Sequence, residues 1–160
     1  MSLGASPASR LPGGTALDHA WIESHIAHKG RMCLLHEVLS WDAVRISCRA
    51  TSHRLADNPL RAHDRLGAAC GVEYAAQAMA IHGAIMAATA GTKTRAGLLT
   101  SVRNLVLLVN RLDDLEADLI ASAERLAGDE GSILYEFTVS SAGRALLSGR
   151  AGIVFAAEQS

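Results

Sequence analysis

The sequence is short of cysteine, proline and aromatic residues. Its three cysteines, Cys33, Cys48 and Cys70, are odd in number and form no C-x-x-C pair. Since no secretory leader precedes them, we expect reduced thiols in a cytoplasmic protein rather than a disulfide framework. Phe, Trp and Tyr together make up 4% of the chain, and no aromatic stacking platform for nucleic acid is visible.

The sequence also lacks a strong excess of either charge. Its formal net charge is -1, which excludes a generic binder of polyanions such as nucleic acid. No phosphate-binding loop or dinucleotide fingerprint is present. Basic residues nevertheless outnumber acidic ones over residues 29–65, and acidic residues dominate residues 113–130. The basic half is either a surface that steers an acidic partner or simply a solvated face.

The length predicts a single domain. A chain of 160 residues, 49% of them hydrophobic, can bury one good core but not two. Residues 1–14 are rich in Ser, Gly, Pro and Ala and predict a flexible tail. We therefore expect one domain over residues 15–160.

Residues 66–92 form the stretch around which the chain is organised. They are rich in Gly and Ala, and Glu73 is their one formally charged residue at neutral pH. The stretch is long enough to span a bilayer, but Glu73, Gln77 and His82 and the lack of flanking aromatics argue against a membrane segment. A buried central helix is expected instead.

Helical spacing places Glu73 and Gln77 on one narrow face and His82 on the opposite one. A buried carboxylate must be protonated, paired or next to a cavity, because burial without a partner costs several kcal/mol. Glu73 is therefore either a functional group or an anchor that hydrogen-bonds a loop backbone. His82 is expected to be a hydrogen-bonded core residue.

The remaining pattern predicts six strands. An apolar run and an alternating segment come before the central helix, and four largely alternating segments follow it. A polar loop with Asn58-Pro59 as its turn signal covers residues 53–65, and Asp64 is a candidate cap for the helix. The short connections favour one antiparallel sheet in an α+β fold, curled around the helix. The predicted strands cover residues 32–39, 44–50, 98–109, 115–124, 133–140 and 147–155.

Two segments resemble a known enzyme family. HKGRMCLLHEV at residues 28–38 looks like the L-P-H-R-x-P-F-L-L-V-D-R-V segment of FabZ-type 3-hydroxyacyl-[acyl-carrier-protein] dehydratases, and GVEYAAQA at residues 71–78 resembles their E-x-x-A-Q helix motif. The likeness is closer to the ApeP-like hotdog dehydratases, which carry a His ahead of N-P-L-R and then G-I-E-Y-A-A-Q-A-M-A-x-H-G. The matching positions here are His53, residues 58–61 and residues 71–83. The resemblance implies a hotdog fold, a six-stranded antiparallel sheet wrapped around one long helix.

The resemblance also implies a site. Glu73 matches the family's helix carboxylate, and His53 is the best candidate for its loop histidine. The family places its active site across a homodimer interface, so the two residues are expected to come from different subunits, with higher oligomers possible. The loop lacks the G-H-F-P-x-x-P string of FabZ-type enzymes. No cofactor is implied, because the substrate is carried on phosphopantetheine.

Dehydration of a 3-hydroxyacyl thioester needs a base for the C2 proton, an acid for the leaving hydroxyl and donors for the developing oxyanion. We expect His53 to be the base and Glu73, with a pKa raised by its apolar surroundings, to be the acid. The backbone amides of Gly67 and Ala68, at the helix start, are the expected oxyanion donors. Gln77 would orient Glu73 or a water molecule.

Other histidines offer alternatives. His63, next to the helix start, is the second candidate for the base. His25 and His28 form an H-x-x-H pair, but no carboxylate or Cys is seen to complete a zinc set, so no metal is expected. His28 is expected to bridge backbone groups instead.

The favoured activity is dehydration of acyl-carrier-protein-bound 3-hydroxyacyl chains in a fatty acid, polyketide or aryl polyene pathway. The acidic carrier protein would dock around Arg54, Arg61 and Arg65. Two alternatives remain open at this point. One is an acyl thioesterase in which Glu73 activates water, and the other is a catalytically degenerate hotdog subunit that binds acyl chains.

Overall fold

The computed structural model describes residues 8–156. A segment with one short helix and a 3-10 turn comes first, followed by two strands, a long helix and four more strands. This is the predicted order of elements. The helices are α1 (His19–His25) and α2 (Gly71–Ala90), and the strands are β1 (Glu37–Trp41), β2 (Arg45–Ala50), β3 (Gly97–Leu107), β4 (Leu119–Gly128), β5 (Ser132–Ser141) and β6 (Arg144–Phe155).

The six strands form one antiparallel sheet in the order β1-β2-β4-β5-β6-β3. Helix α2 packs against β2, β4 and β5, so the concave face of the sheet holds the helix. This arrangement confirms the predicted hotdog fold. No helix among residues 8–156 is both long enough and apolar enough to cross a membrane.

Small residues let the sheet close tightly on α2. A Cβ atom added at Gly71 would lie 2.5 Å from Leu147 Cδ2, so the Leu147 side chain of β6 packs directly on the helix start and would have to shift for a larger residue. Further along the helix, Tyr74, Ile81 and Ile85 are fully buried. The lack of a side chain at Gly71 therefore leaves room for Leu147, whereas a Cβ atom at Gly83 would meet nothing within 4 Å.

The prediction for His82 is confirmed. Its ring is buried, with Nε2 2.8 Å from the Asp42 carbonyl and Nδ1 2.8 Å from the Tyr135 hydroxyl. Because a carbonyl only accepts, Nε2–H donates to Asp42, and Nδ1 accepts from Tyr135. Burial lowers the pKa of His82 and raises that of Tyr135 to about 12, so both groups are neutral.

Three predicted boundaries are wrong for identifiable reasons. Strand β1 begins only at Glu37, because the Leu34 amide donates to the Gln77 side chain rather than to a neighbouring strand. Strand β4 begins at Leu119, because the preceding backbone turns to face a histidine side chain. Asp64 does not cap α2, which starts at Gly71 after the 3-10 turn Ala68–Cys70.

Part of the predicted tail contacts the sheet. Ala8 and Trp41 exchange two backbone hydrogen bonds of 2.8 and 2.6 Å, and Trp41 Nε1 donates to the Arg10 carbonyl at 3.1 Å. These contacts place residues 8–14 beside the end of β1. Residues 1–7 of the predicted tail lie outside the described residues.

Candidate active site

Glu73 lies in the first turn of α2 and pairs with His28. The Glu73 Oε1 atom is 3.1 Å from His28 Nε2, and the two side chains are 34% and 33% exposed. His28 comes from the loop between α1 and the 3-10 turn Gly30–Met32. The carboxyl, which was predicted to be desolvated, thus keeps a third of its surface exposed in the single chain. The pair forms a carboxylate and imidazole couple at an accessible edge of the fold.

Gln77, one turn further along α2, fixes the segment that follows His28. Its Oε1 accepts from the Leu34 amide at 2.9 Å, and its Nε2 donates to the Met32 carbonyl at 2.7 Å. A longer contact of 3.5 Å joins Nε2 to Glu73 Oε1. The fully buried amide therefore acts mainly as a clamp on residues 32–34, and it reaches Glu73 only weakly.

His53 lies in the 3-10 turn Ser52–Arg54 and is fully buried. Its Nε2 is 3.1 Å from the Leu115 carbonyl and 3.0 Å from the Ala117 carbonyl. Since both partners only accept, Nε2 carries the hydrogen, and Nδ1 holds the free lone pair. Nδ1 has no hydrogen-bond partner within residues 8–156. Burial lowers the pKa of His53, which keeps the ring neutral.

The N-P-L-R segment holds the His53 turn in place. Asn58 Nδ2 donates to the Ser52 carbonyl at 2.9 Å and to the Tyr74 hydroxyl at 3.0 Å. Arg61 donates to the His53 carbonyl at 3.2 Å. The Tyr74 hydroxyl also lies 2.8 Å from Ser52 Oγ, so the residue after Glu73 ties α2 to the histidine turn. Within the described chain, this link passes through Tyr74, and no hydrogen bond joins His53 to Glu73.

Three other predicted site residues lie elsewhere. The amide of Ala68 is not free, because it donates to the Asn110 carbonyl at 3.0 Å; the prediction of an oxyanion donor at Ala68 is therefore wrong for this chain. Gly67 pairs with Arg111 in an isolated bridge beside it. His63 is exposed in a tight turn with φ 52°, and no contact connects it to Glu73 in the part of the chain described.

Two of the three arginines predicted to bind a carrier protein are engaged within the chain. Arg54 pairs with Asp118 at 2.8 Å, and Arg61 is directed at backbone carbonyls. Arg65 is exposed and has no ion-pair partner among residues 8–156. Of the three arginines predicted to bind the carrier protein, Arg65 is thus the one that stays available to an acidic partner.

Two surface cavities are lined by residues other than Glu73 and His28. One of about 300 Å³ lies over the outer sheet face near Trp41 and Arg45. The other, of about 340 Å³, lies between the segments 30–36 and 51–59 and is lined by His19 and Cys33 among others. Near it, ligand atoms of His19, Glu23 and Cys33 all lie within 4.8 Å of one another. Of the described residues, these three are the set suited to a metal ion.

His28 is the functional candidate that sequence reasoning misplaced. It was expected to bridge backbone groups, but its Nε2 faces the Glu73 carboxylate. The sequence showed that His28 lies in the first family-like segment. It did not show that this segment contacts a helix more than forty residues away. The link is tertiary, made when Gln77 docks the segment onto α2.

Comparison with known proteins agrees with this architecture. The family model ApeP-like, described as ApeP dehydratase, matches residues 20–159. No curated protein matches the sequence.

Solved structures share the fold. The dehydratase heterocomplex ApeI:P from Xenorhabdus doucetiae has a TM-score of 0.76 at 20% identity, covering 86% of this chain and 91% of that one. A thioesterase from Haemophilus influenzae has a TM-score of 0.55 at 9% identity, covering 75% and 77%. The PaaI protein of the E. coli phenylacetic acid degradation operon has 0.54 at 12% identity, covering 77% and 80%.

Proposed function

Because the chain belongs to the ApeP-like dehydratase family, we propose that it removes water from 3-hydroxyacyl thioesters carried on an acyl carrier protein. The observation that carries this proposal is the position of Glu73. Its carboxyl lies at the accessible start of the enwrapped helix with an imidazole 3.1 Å away. The elimination requires an acid and a base, and Glu73 is the acid of this proposal.

In the proposed reaction, a base takes the C2 proton, and the C2–H electrons form the C2=C3 bond. The C3–O bond breaks as Glu73 gives its proton to the departing hydroxyl, which leaves as water. The proton held by the base then returns to Glu73, so no co-reactant is consumed. The products are an enoyl thioester and one water molecule.

Two imidazoles compete for the role of base. His28 already contacts Glu73 in the same chain. His53 has an Nδ1 lone pair with no partner within residues 8–156 and a lowered pKa, as a neutral base requires. Because its ring is fully buried in the single chain, the Ser52–Arg54 turn must open to bring Nδ1 to the substrate. In our proposal His53 is the base, donated by a second subunit, and His28 orients Glu73 and shares its proton.

A second subunit is favoured by strand β3. This strand forms one end of the sheet, and Leu98 is 69% exposed and Val106 47% exposed along it. An exposed apolar edge strand is usually covered by another chain. We propose a homodimer joined along β3. A related hotdog chain in place of one subunit would give a mixed complex.

The carrier protein remains part of the proposal. Arg65 is an exposed cation without an ion-pair partner among residues 8–156, on the loop that leads to α2, and an acidic carrier would approach it by electrostatic attraction. The charge-reversal variant Arg65→Glu should slow turnover of carrier-bound substrate severalfold while leaving a short thioester analogue unaffected. If Arg65→Glu turns over the carrier-bound substrate as fast as the parent does, Arg65 is not part of the docking surface.

The deciding experiment offers the purified protein a 3-hydroxyacyl chain on carrier protein, the same chain on coenzyme A, and the matching enoyl forms. Interconversion of hydroxyacyl and enoyl thioesters is the expected result. Release of free thiol would instead identify an acyl thioesterase. If neither product forms with the protein alone, or after addition of a second hotdog subunit, the chain is a non-catalytic subunit and the proposed activity is wrong.

A further inference from the structure

Three potential metal ligands meet between α1 and the residue that follows the 3-10 turn Gly30–Met32. His19 and Glu23 are one turn apart on α1, with His19 Nε2 3.5 Å from Glu23 Oε2. Cys33 follows the 3-10 turn Gly30–Met32 and brings its sulfur into the same group. All three ligand atoms lie within 4.8 Å of one another. Small side-chain movements would bring them to the separations found around a single bound cation.

The His19 ring is already oriented for coordination. Its Nδ1 lies 3.0 Å from the Leu35 carbonyl, and a carbonyl can only accept, so Nδ1 carries the hydrogen. The lone pair then sits on Nε2, the atom that faces Glu23. Histidine ligands in metal sites commonly have their second nitrogen fixed in this way by a backbone carbonyl.

Cys33 supplies a sulfur in an enclosed position. The residue is 5% exposed and its thiol is free. Its sulfur lies within 4.8 Å of the ligand atoms of His19 and Glu23.

The group is reached from the surface. His19 and Cys33 line the cavity of about 340 Å³ described above, and the side chains of His19 and Glu23 are 44% and 41% exposed. An ion can enter through this cavity, which also has space for a water molecule as the fourth ligand.

We propose that His19, Glu23 and Cys33 bind a thiophilic divalent cation, with zinc as the preferred ion. Sulfur, imidazole nitrogen and carboxylate oxygen are the three ligand types of protein zinc sites, whereas Mg²⁺ and Ca²⁺ take oxygen ligands. The His-x-x-x-Glu spacing on α1 does not by itself predict a metal site, because Cys33 joins the pair only through the fold.

The role of this ion is structural. Cys33 lies between Met32 and Leu34, the residues held by Gln77, so a metal would tie α1 to the segment that leads from His28 to β1. The ion would not touch Glu73. The metal site is therefore tested independently of the proposed dehydratase activity.

The test is titration of the tag-free, chelator-treated protein with Co²⁺, followed by displacement with Zn²⁺. The parent should develop the visible bands of tetrahedral cobalt and a near-ultraviolet thiolate-to-cobalt band, with one equivalent bound. Cys33→Ala should abolish the thiolate band, and Glu23→Gln should weaken Co²⁺ binding at least ~10-fold. The matched controls Cys70→Ala and His25→Ala should bind as the parent does.

Thermal melting provides a second readout that needs no thiolate band. Zn²⁺ should raise the melting temperature of the parent and of both control variants, but not of Glu23→Gln, whose side chain is too exposed for the change to disrupt folding. Absence of a thiolate band in the parent would overturn the proposal. So would binding that survives Cys33→Ala but is lost in His25→Ala, because the ion would then lie on the H-x-x-H pair.

Discussion

His28 Nε2 lies 3.1 Å from Glu73 Oε1, joining the loop after α1 to the first turn of the central helix. Both side chains are about one-third exposed, and even a fully charged pair at such exposure contributes only about 0–1 kcal/mol to stability. The fold does not need this pair to stay together. Its position at the accessible end of the helix instead suits proton transfer.

Replacing His28 tests separately whether the pair contributes to stability and whether it takes part in proton transfer. In His28→Ala, we expect the dehydration rate to fall by about 10²-fold or more, because the proton on Glu73 loses its partner. The melting temperature should change little. The matched control is His25→Ala, which removes another histidine with an exposed ring from the same region. Unchanged turnover in His28→Ala would assign the pair no part in the reaction.

Gln77→Leu, unlike His28→Ala, should mainly lower the stability of the fold. The leucine fills a similar volume but leaves the Leu34 amide and the Met32 carbonyl without their buried partner. Each of the two unsatisfied groups costs roughly 1–3 kcal/mol, so urea unfolding should show a loss of about 2–6 kcal/mol. Thr89→Ala, at an exposed site on the same helix, should change stability by less than about 0.5 kcal/mol. A similar small loss in Gln77→Leu would show that residues 32–34 hold their position without the clamp.

The buried histidines predict the pH dependence of stability. Burial lowers the pKa of both His53 and His82 below the ordinary value of 6.5, so the unfolded chain takes up protons first as pH falls. Their stabilising contribution is complete above about pH 6.5 and is lost progressively below it, toward the lowered folded-state pKa values.

Denaturant midpoints measured between about pH 7 and pH 5 should therefore decrease for the parent protein. In His82→Phe the decrease should be shallower, even though its stability near neutral pH is lower. The exposed His63→Gln variant should follow the parent. A pH profile of His82→Phe parallel to the parent's would mean that His82 is not held neutral.

Strand β3 predicts the state of association. Val106→Lys places a charge on the free strand at the sheet edge, and the loss of apolar surface should shift the protein toward monomers in sedimentation experiments. Leu126→Lys, at an exposed site on β4, should leave association unchanged. If both variants remain dimeric, the dimer forms through another surface.

Much of the fold was predictable because its patterns are local. Alternation of apolar and polar residues located β2, β5 and β6, and the Gly and Ala content of residues 66–92 located a helix packed tightly by its surroundings. The start of β1 was misplaced because Gln77, far away in sequence, removes the Leu34 amide from strand pairing. The start of β4 was misplaced because His53 turns the carbonyls of Leu115 and Ala117 toward itself.

The site was predictable in part, for the same reason. Glu73 stood out as the single charge in its helix, and the helical spacing of Glu73 and Gln77 needed no structure. The pairing of His28 with Glu73 and the meeting of His19, Glu23 and Cys33 depend on how a loop folds back on α2. Ala68 was assigned as a free donor because local sequence does not reveal that Asn110 accepts its amide hydrogen.

The most direct measurement is the rate at which a carrier-bound 3-hydroxyacyl thioester is converted to its enoyl form by the parent protein and by Glu73→Gln, with Glu124→Gln as the surface control. The amide keeps the shape of the carboxyl but cannot give up a proton, so the rate of Glu73→Gln should fall about 10²- to 10⁴-fold. The control should match the parent. Equal rates for the parent and Glu73→Gln would contradict the assignment of Glu73 as the acid.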